Sequence, residues 1–269
     1  MHVQFRAVVF DLFGTLTRAV RRGAWYQLMA RALECDPKVL SGVLDRTFAM
    51  RARGGDGRLE IRRIAWRLGR RPTAAQVSEA LRLRHRAIRA SLQLRPDAMS
   101  TLQSLRRRGL RVGLISDCTE DLPAILASLP IAALLDATVY SAHLGVVKPH
   151  PAMYLTVCHR LGVDPERCLY VGDGDGHELS GAEAVGMTAI RLAAPDLSGH
   201  LTFAADVDFT GPSVTALGQV LDLVASGPGV GRAQFRAPPS HRSANRVPAN
   251  AAGSYWAHGG ADIHPAECR

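Results

Sequence analysis

Residues 8–16 read Val8-Val9-Phe10-Asp11-Leu12-Phe13-Gly14-Thr15-Leu16, and this stretch decides the predicted fold. An apolar, β-branched run that ends in a glycine turn is typical of a buried strand. Asp11 stands where that strand stops. Ligands of open parallel sheets bind outside the carboxyl ends of the strands, so a carboxylate there indicates chemistry. Aspartate before a glycine turn is also ordinary turn chemistry, and the stretch by itself leaves both interpretations open.

Composition indicates a globular protein with an unevenly distributed charge. The 269 residues can bury a substantial core, as one large or two smaller domains. The formal net charge is +9, of which residues 17–95 contribute +13, chiefly through arginine. Such a basic module could attract an anionic substrate or nucleic acid. Because the chain uses arginine almost to the exclusion of lysine, a solvated basic surface without a dedicated partner is the simpler interpretation.

Targeting and redox signals favour a cytoplasmic protein. No apolar run reaches the length of a membrane span, and Arg6 interrupts the first residues, so we expect neither a membrane segment nor a secretory signal. The five cysteines are scattered and form no C-x-x-C pair, which favours reduced thiols over disulfides or a zinc site.

Hydrophobic periodicity divides the chain into three parts. Residues 17–95 predict four amphipathic helices with no strand, and Thr73 with Gln76 forms a capping box at the start of the fourth. Residues 5–10 predict the first strand. From residue 96 helices and strands alternate, with Asp97 as the predicted cap of the first helix and strands at 110–115, 138–140, 168–171 and 187–192. Residues 1–16 and 96–226 therefore predict an α/β core around a parallel sheet, with 17–95 as an inserted helical cap. Residues 227–269 lack periodicity and predict a disordered tail.

Three polar residues stand at the carboxyl ends of predicted strands: Asp11, Ser116 and Asp173. One parallel sheet would bring them to a single edge. Lys148, one of only two lysines in the chain, precedes a helix that Pro151 would begin. Each residue alone has a structural explanation, as a helix cap or a solvent-facing charge. The ordered set of Asp, Ser, Lys and Asp instead predicts a shared site.

The chain resembles the haloacid dehalogenase superfamily of hydrolases with a helical cap between its first and second motifs. The matching pieces run from residue 5 to about 192, and they are Asp11-Leu12-Phe13-Gly14-Thr15-Leu16, Leu114-Ile115-Ser116-Asp117, Val147-Lys148-Pro149, and Val171-Gly172-Asp173 through Glu178. The resemblance implies a Rossmann-like parallel sheet with an inserted all-helical cap domain. It implies a Mg²⁺-dependent phosphatase acting on small anionic, phosphorylated molecules.

The same resemblance implies a role for each motif residue. Asp11 would be the nucleophile that forms an aspartyl-phosphate. Ser116 would hydrogen-bond a phosphoryl oxygen, and Lys148 would pair with that group and with Asp11. Asp173 would bind Mg²⁺ together with Asp11 and the main-chain carbonyl of Phe13. Elementary electrostatics agrees, because a carboxylate attacking a phosphate dianion needs cations to offset the repulsion.

Two departures from the family pattern leave alternatives open. Phe13 stands where phosphatases of the family usually have an acid/base aspartate, and Asp117, Asp175, His177 or Glu178 are candidate replacements. Glu178 itself replaces the common aspartate and could contact a metal-bound water. Because haloacid dehalogenases carry an aromatic residue at the position of Phe13, a metal-independent 2-haloacid dehalogenase is the alternative.

A catalytically weak protein that binds through its arginine-rich cap is a further alternative. The cap has few aromatic residues and no recognised nucleic-acid motif, so nucleic acid is not the expected partner. The substrate and the oligomeric state are left open by the sequence.

Overall fold

The structure, a computed structural model, describes residues 4–21 and 25–226. The tail predicted at 227–269 lies outside the described residues. Within those residues one sheet of six parallel strands has the order β3-β2-β1-β4-β5-β6. The strands are β1 (Ala7–Phe10), β2 (Arg111–Ser116), β3 (Ala137–Tyr140), β4 (Cys168–Gly172), β5 (Thr188–Leu192) and β6 (Ser213–Val214). The predicted α/β class and parallel sheet are confirmed, and the short β6 was not predicted.

Helices surround the sheet and fill the segment between β1 and β2. Those of this inserted segment are α1 (Trp25–Ala32), α2 (Pro37–Arg46), α3 (Phe48–Arg51), α4 (Gly57–Arg67) and α5 (Ala74–Ser91). Those of the α/β part are α6 (Ala98–Arg107), α7 (Leu122–Ala127), α8 (Ser141–Leu144), α9 (Pro151–Leu161), α10 (Glu178–Ala184) and α11 (Val220–Ser226). No helix of the described residues is both long and apolar enough to cross a bilayer.

Both faces of the sheet are covered, which explains the continuous apolar runs of its central strands. Val8 and Phe10 of β1 belong to a core cluster that includes α6, α7 and α11 residues. Ala7 and Val9 point to the opposite cluster, which includes residues of α9 and α10. The strand period of two therefore serves two cores at once.

The inserted helices pack around a hydrophobic cluster of their own. Its buried members include Met29, Leu40, Ile61 and Val77, from four different helices. The division into a core at 1–16 and 96–226 and a cap at 17–95 stays a prediction. The predicted count of four helices was wrong within the described residues, because the chain breaks at Thr47 and Phe48 begins the separate α3.

Helix capping agrees with the sequence at one predicted position and differs at another. Thr73 and Gln76 form the predicted capping box of α5. Asp97 precedes α6 but its side chain does not cap that helix. Its carboxylate instead accepts a hydrogen bond from the backbone N–H of Gly218 at 3.1 Å. Asp97 thus joins the first helix after the insertion to the C-terminal part of the core.

Strand register places the predicted site residues at one edge. Phe10 pairs with Leu114 of β2 and with Val171 of β4. Asp11, the next residue, is therefore level with the residues that precede Ser116 and Asp173. The carboxyl ends of β1, β2 and β4 meet at this edge, as the sequence predicts.

Candidate active site

A buried lysine joins two carboxylates at the centre of the site. Lys148 Nζ lies 2.6 Å from Asp11 Oδ1 and 2.6 Å from Glu178 Oε2. Asp11 is 5% exposed, Lys148 is 7% exposed and Glu178 is fully buried. The structure therefore brings Asp11 and Lys148 together as predicted from the motif order, with Glu178 as a second partner of the lysine.

The pKa values of Asp11 and Lys148 are both raised in the folded protein. Burial raises the pKa of Asp11 from 3.8 to about 7, although the charge of Lys148 offsets part of this effect. Burial opposes the charge of Lys148, but the carboxylates of Asp11 and Glu178 raise its pKa well above the ordinary value. Lys148 is consequently a fixed cation beside the carboxylate that would attack the substrate.

Glu178 is held by the fold in a way that the sequence did not indicate. Its Oε2 accepts a hydrogen bond from the Tyr170 hydroxyl at 2.8 Å, and its Oε1 accepts one from the backbone N–H of Gly174 at 2.9 Å. A side chain on Gly172 would collide with it, because an added Cβ would lie 2.1 Å from Oε1. Glu178 thus fills the space beneath the strand end and orients Lys148.

Three carboxylates converge on a position that suits a cation. Asp11, Asp173 and Glu178 each offer an oxygen atom, and these atoms lie within 4.8 Å of one another. Burial and the charges of Glu178 and Asp11 raise the pKa of Asp173 well above its ordinary value. Close buried carboxylates are stabilised as anions by a bound cation, and Mg²⁺ prefers such hard oxygen ligands. The donor set therefore fits Mg²⁺ at Asp11 and Asp173.

Ser116 has a free hydroxyl at the end of β2. It is fully buried, and among the described residues its Oγ has no hydrogen-bond partner. Buried hydroxyl groups are normally satisfied, so an unpaired one suggests a partner that binds from outside the protein. A phosphoryl oxygen would provide that partner, in agreement with the predicted role.

The turn after β1 leaves room for the carboxylate of Asp173. Residues 12–16 form a turn that is closed by a hydrogen bond from the Thr17 N–H to the Leu12 carbonyl at 2.9 Å, and Gly14 within it has φ +79°. A Cβ at Gly14 would lie 2.5 Å from Asp173 Oδ2. Phe13 is partly buried and packs against the hydrophobic core. The role of the Phe13 carbonyl as a metal ligand stays a prediction.

The four candidate acid/base residues have different environments. Asp175 Oδ1 accepts hydrogen bonds from the backbone N–H groups of Phe203 and Ala204, each at 2.8 Å. His177 is exposed, and its imidazole lies 3.9 Å from Asp206. The Glu178 carboxylate already accepts hydrogen bonds from Lys148 and Tyr170. Asp175, His177 and Glu178 therefore have structural partners of their own.

Asp117 is the candidate whose environment suits proton transfer. Its two carboxylate oxygens lie 3.1 and 3.2 Å from the backbone N–H of Lys148, which donates to them. Burial raises the pKa of Asp117 from 3.8 to about 6, although Lys148 offsets part of that effect. A carboxyl group with this pKa can both donate and accept a proton near neutral pH.

His200 and Arg95 approach the site from parts of the chain that the sequence did not single out. His200 Nε2 lies 3.2 Å from Asp173 Oδ2. Arg95 donates to the backbone carbonyls of Gly14 and Thr15 at 2.6 and 2.8 Å. Neither residue lies in a recognisable motif. The scarcity of other signals in residues 193–212 left His200 without any indication of function.

Comparison with known proteins agrees with this geometry. The sequence pattern that describes haloacid dehalogenase-like hydrolases matches residues 5–186. The chain belongs to this family. The match covers the four motifs and the helical insertion between the first two, so the predicted family is confirmed.

Members of the family with different names resemble the chain. A glyceraldehyde 3-phosphate phosphatase from Methanopyrus kandleri is 28% identical over 194 residues, which are 70% of this chain and 83% of that protein. Several other curated relatives are matched over 41% to 58% of their own length. Among these relatives, the one that is matched over the largest share of its own length is named as a phosphatase.

Solved haloacid dehalogenase-like structures share the fold. The L-2-haloacid dehalogenase of Xanthobacter autotrophicus has a TM-score of 0.57 at 21% identity, covering 82% of this chain and 99% of that one. A family enzyme of Bacteroides thetaiotaomicron, solved with magnesium and inorganic phosphate, has a TM-score of 0.54 at 17% identity, covering 71% and 96%. At these identities the similarity establishes the fold alone.

Proposed function

We propose that this protein is a Mg²⁺-dependent phosphatase of small phosphorylated molecules and that it acts through an aspartyl-phosphate on Asp11. The observation that carries the proposal is the convergence of Asp11, Asp173 and Glu178 beside Lys148. One lysine cannot neutralise three carboxylates, and a divalent cation would complete the balance. The phosphatase name of the Methanopyrus kandleri relative supports the same reaction class.

The proposed reaction has two steps at phosphorus. An oxygen of the Asp11 carboxylate attacks the phosphorus atom, the ester P–O bond breaks, and its electron pair leaves on the alcohol oxygen, which takes a proton. Water then attacks the same phosphorus, the bond to Asp11 breaks, and inorganic phosphate is released. The Asp11 carboxylate is thereby restored.

The buried charges and hydroxyl of the site have defined tasks in these steps. Lys148, held between Asp11 and Glu178, lowers the repulsion between the attacking carboxylate and the phosphate. Ser116 donates its unpaired hydroxyl to a phosphoryl oxygen. Asp11, Asp173 and the Phe13 carbonyl would hold Mg²⁺, which supplies positive charge to the phosphoryl oxygens when it is bound.

Asp117 would provide the proton chemistry that Phe13 cannot. The protonated carboxyl group would donate to the leaving alcohol, and the resulting carboxylate would take a proton from the attacking water. The pKa of Asp117, raised by burial to about 6, suits both directions of transfer. In this proposal Asp117 replaces the acid/base aspartate that the family usually carries two residues after the nucleophile.

A screen of small phosphate esters tests the proposed activity. Purified protein should release inorganic phosphate when Mg²⁺ is present and should lose this activity when a chelator is added. Asp11→Asn should lower turnover at least about 1,000-fold, because it removes the nucleophile. Asp164→Asn, at an exposed turn, is the matched control and should retain wild-type activity. Failure of the wild type across a broad panel would contradict the proposal.

The leaving group reports on the proposed role of Asp117. Asp117→Asn should lower the turnover of alkyl phosphates by about 10² to 10⁴, the usual contribution of general acid/base catalysis. An aryl ester such as p-nitrophenyl phosphate needs little protonation of its leaving group, so the first step should be much less affected. The value of kcat/KM reports the first step alone, so equal losses of kcat/KM with alkyl and aryl esters would argue against a proton donor at Asp117.

Dehalogenation is the second candidate, and Phe13 is the observation that favours it. The side chain is apolar and packs on the core, so it leaves no acid/base group at the usual position. In that reaction the Asp11 carboxylate would displace halide from carbon, and halide needs no proton. Release of halide from 2-haloacids, unchanged by a chelator, would support this activity. No release, together with Mg²⁺-dependent phosphate release, would exclude it.

A further inference from the structure

The loop between β5 and β6 is bonded to the segment that leads from β1 into the inserted helices. We name residues 17–21 the first linker and residues 193–212 the β5–β6 loop. The backbone N–H of Ala19 donates to Asp196 Oδ2 at 3.0 Å, and that of Leu201 donates to the Val20 carbonyl at 2.9 Å. The backbone N–H of Val20 donates to Nδ1 of His200 at 2.8 Å. These three hydrogen bonds hold the loop against the first linker.

The other side of the same imidazole faces the candidate metal site. His200 Nε2 lies 3.2 Å from Asp173 Oδ2, and both side chains are nearly buried, with 5% and 6% exposed. Because Nδ1 accepts the Val20 N–H, a neutral His200 carries its proton on Nε2, the ring nitrogen that faces Asp173. One side chain thus connects the backbone of the linker to a carboxylate of the site.

Gly14 confines this pair from a third direction. An added Cβ would lie 2.5 Å from Asp173 Oδ2 and 2.8 Å from His200 Nε2. The carboxylate and the imidazole therefore lie in the space that the missing side chain of Gly14 leaves. Both groups therefore pack directly against the turn that follows Asp11.

We propose that His200 is a positioning residue that couples the first linker to the metal-binding carboxylate of Asp173. The inference rests on the proposed function, which places Mg²⁺ at Asp11 and Asp173. With Val20 in the observed position, His200 orients Asp173 toward the cation; displacement of the linker withdraws the imidazole and releases the carboxylate. By linkage, occupation of the metal site favours the linker position that holds His200 in place.

Two substitutions separate the two ends of the imidazole. In His200→Asn the amide oxygen can still accept the Val20 N–H, but the side chain is too short to reach Asp173. In His200→Gln the longer side chain can place an amide N–H near the position of Nε2. The exposed His159→Asn on α9 is the matched control, because His159 lies outside the site.

The decisive measurement is Mg²⁺ affinity by titration calorimetry, in the absence of substrate. His200→Asn should bind Mg²⁺ about 10- to 100-fold more weakly than the wild type, as is usual when a side chain that contacts and orients a metal ligand is removed. His200→Gln should recover most of the affinity, and His159→Asn should not differ from the wild type. If His200→Asn bound Mg²⁺ as tightly as the wild type does, this inference would be overturned, and the proposed function would be unaffected.

Backbone exchange provides a second readout that does not depend on the variants. In the wild type, Mg²⁺ should slow hydrogen exchange of the Val20 amide, observed by nuclear magnetic resonance. An unchanged Val20 exchange rate at saturating Mg²⁺ would overturn the coupling even if His200→Asn did not fold. Absence of any Mg²⁺ binding to the wild type would overturn the proposed function, and this inference with it.

Discussion

Asp117 illustrates how burial changes the behaviour of a single carboxyl group. The residue follows Ser116 at the end of β2, where the sheet edge and the Lys148 backbone surround it. Burial raises its pKa from 3.8 to about 6, so the folded protein keeps a proton that the unfolded chain has already lost between these values. As pH rises through this window, the stability contributed by that proton decreases. Ionised Asp117 therefore destabilises the fold at neutral pH.

We expect Asp117→Asn to be more stable than the wild type above pH 6. An amide keeps an acceptor for the Lys148 N–H and carries no charge to desolvate, so the gain should be about 2 kcal/mol at pH 7.5. The gain should vanish near pH 4, where the wild-type carboxyl group is protonated in the folded state. Urea unfolding of both proteins at the two pH values measures this difference.

Asp164→Asn serves as the control for the loss of one negative charge. Asp164 is exposed, so this substitution should change stability by less than about 0.5 kcal/mol at both pH values. A stability difference for Asp117→Asn that stayed constant between pH 4 and pH 7.5 would show that its pKa is not raised by folding.

Gly14 combines a conformational demand with a spatial one. Its φ of +79° favours glycine, and the space beside it holds Asp173 and His200. Gly109 has a similar φ of +77°, but an added Cβ there would meet nothing within 4 Å. The two glycines therefore separate backbone strain from steric conflict.

We expect Gly14→Ala to lose about 1 to 3 kcal/mol more stability than Gly109→Ala. The conformational cost is shared, and the additional loss comes from the collision with Asp173. Chemical unfolding gives both values, and the Mg²⁺ affinity of Gly14→Ala should fall while that of Gly109→Ala stays unchanged. Equal stability losses would mean that the Asp173–His200 pair can move away from Gly14 without cost.

At the scale of elements, the two connections between the sheet and the inserted helices lie side by side. Thr17 and Leu94 form an antiparallel bridge, and the backbone N–H of Arg18 donates to the Gln93 carbonyl at 2.8 Å. Arg95 then reaches across to the turn at residues 12–16 and to Asp196 of the β5–β6 loop. One buried guanidinium thus ties together the turn, the second connection and the loop.

We expect Arg95→Met to destabilise the protein by about 3 kcal/mol. Methionine keeps most of the apolar length but leaves the Gly14 and Thr15 carbonyls and Asp196 without their charged donor. The free energy of unfolding, measured with urea, should show this loss. Arg107→Met, on the exposed end of α6, is the control and should remain within about 0.5 kcal/mol of the wild type.

The strength of sequence prediction differed between regular elements and loops. Thr73 and Gln76 predicted the start of α5 correctly, because a capping box uses contacts three residues apart. The prediction that Asp97 caps α6 was wrong, because its carboxylate accepts a hydrogen bond from the backbone N–H of Gly218, 121 residues further along the chain. Helix α3 was missed because a break at Thr47 leaves the apolar spacing nearly unchanged. Local patterns thus predicted elements, and distant partners changed their details.

For the whole molecule, the strong positive charge of the inserted segment is partly structural. Arg84 on α5 is buried, with its guanidinium 2.7 Å from Glu60 on α4 and 2.7 Å from Asp121 beyond β2. Arg51 also approaches Glu60 at 3.2 Å. These arginines hold helices together and are not free to attract an anion. The basic composition of residues 17–95 therefore overstates the charge that a ligand would meet.

We expect Mg²⁺ to stabilise the whole protein against heat. A cation that binds the folded protein alone adds about 2.7 kcal/mol at 100 times its dissociation constant, which corresponds to a rise in Tm of about 5 to 10 °C for a chain of this size. Differential scanning calorimetry with and without Mg²⁺ measures the shift. Asp173→Asn should lose most of it, because that substitution removes a carboxylate of the proposed Mg²⁺ site.

Salt provides the control for this shift. Sodium chloride at matched ionic strength should not raise the Tm of the wild type by a similar amount, since a monovalent ion does not replace Mg²⁺ at two carboxylates. A full Mg²⁺ shift in Asp173→Asn would place the stabilising cation elsewhere in the molecule.

The sequence by itself determined the family, the parallel sheet and the meeting of Asp11, Ser116 and Asp173 at one edge. Each of these follows from local patterns, because a strand end or a motif can be recognised from a few adjacent residues, and the motifs then occur in a fixed order along the chain. Tertiary structure decided which charged and polar groups meet. It pairs Glu178 with Lys148, bonds Arg95 to the Gly14 carbonyl and brings His200 into contact with Asp173. These contacts join residues from separate elements and loops, whose approach depends on how the whole chain packs.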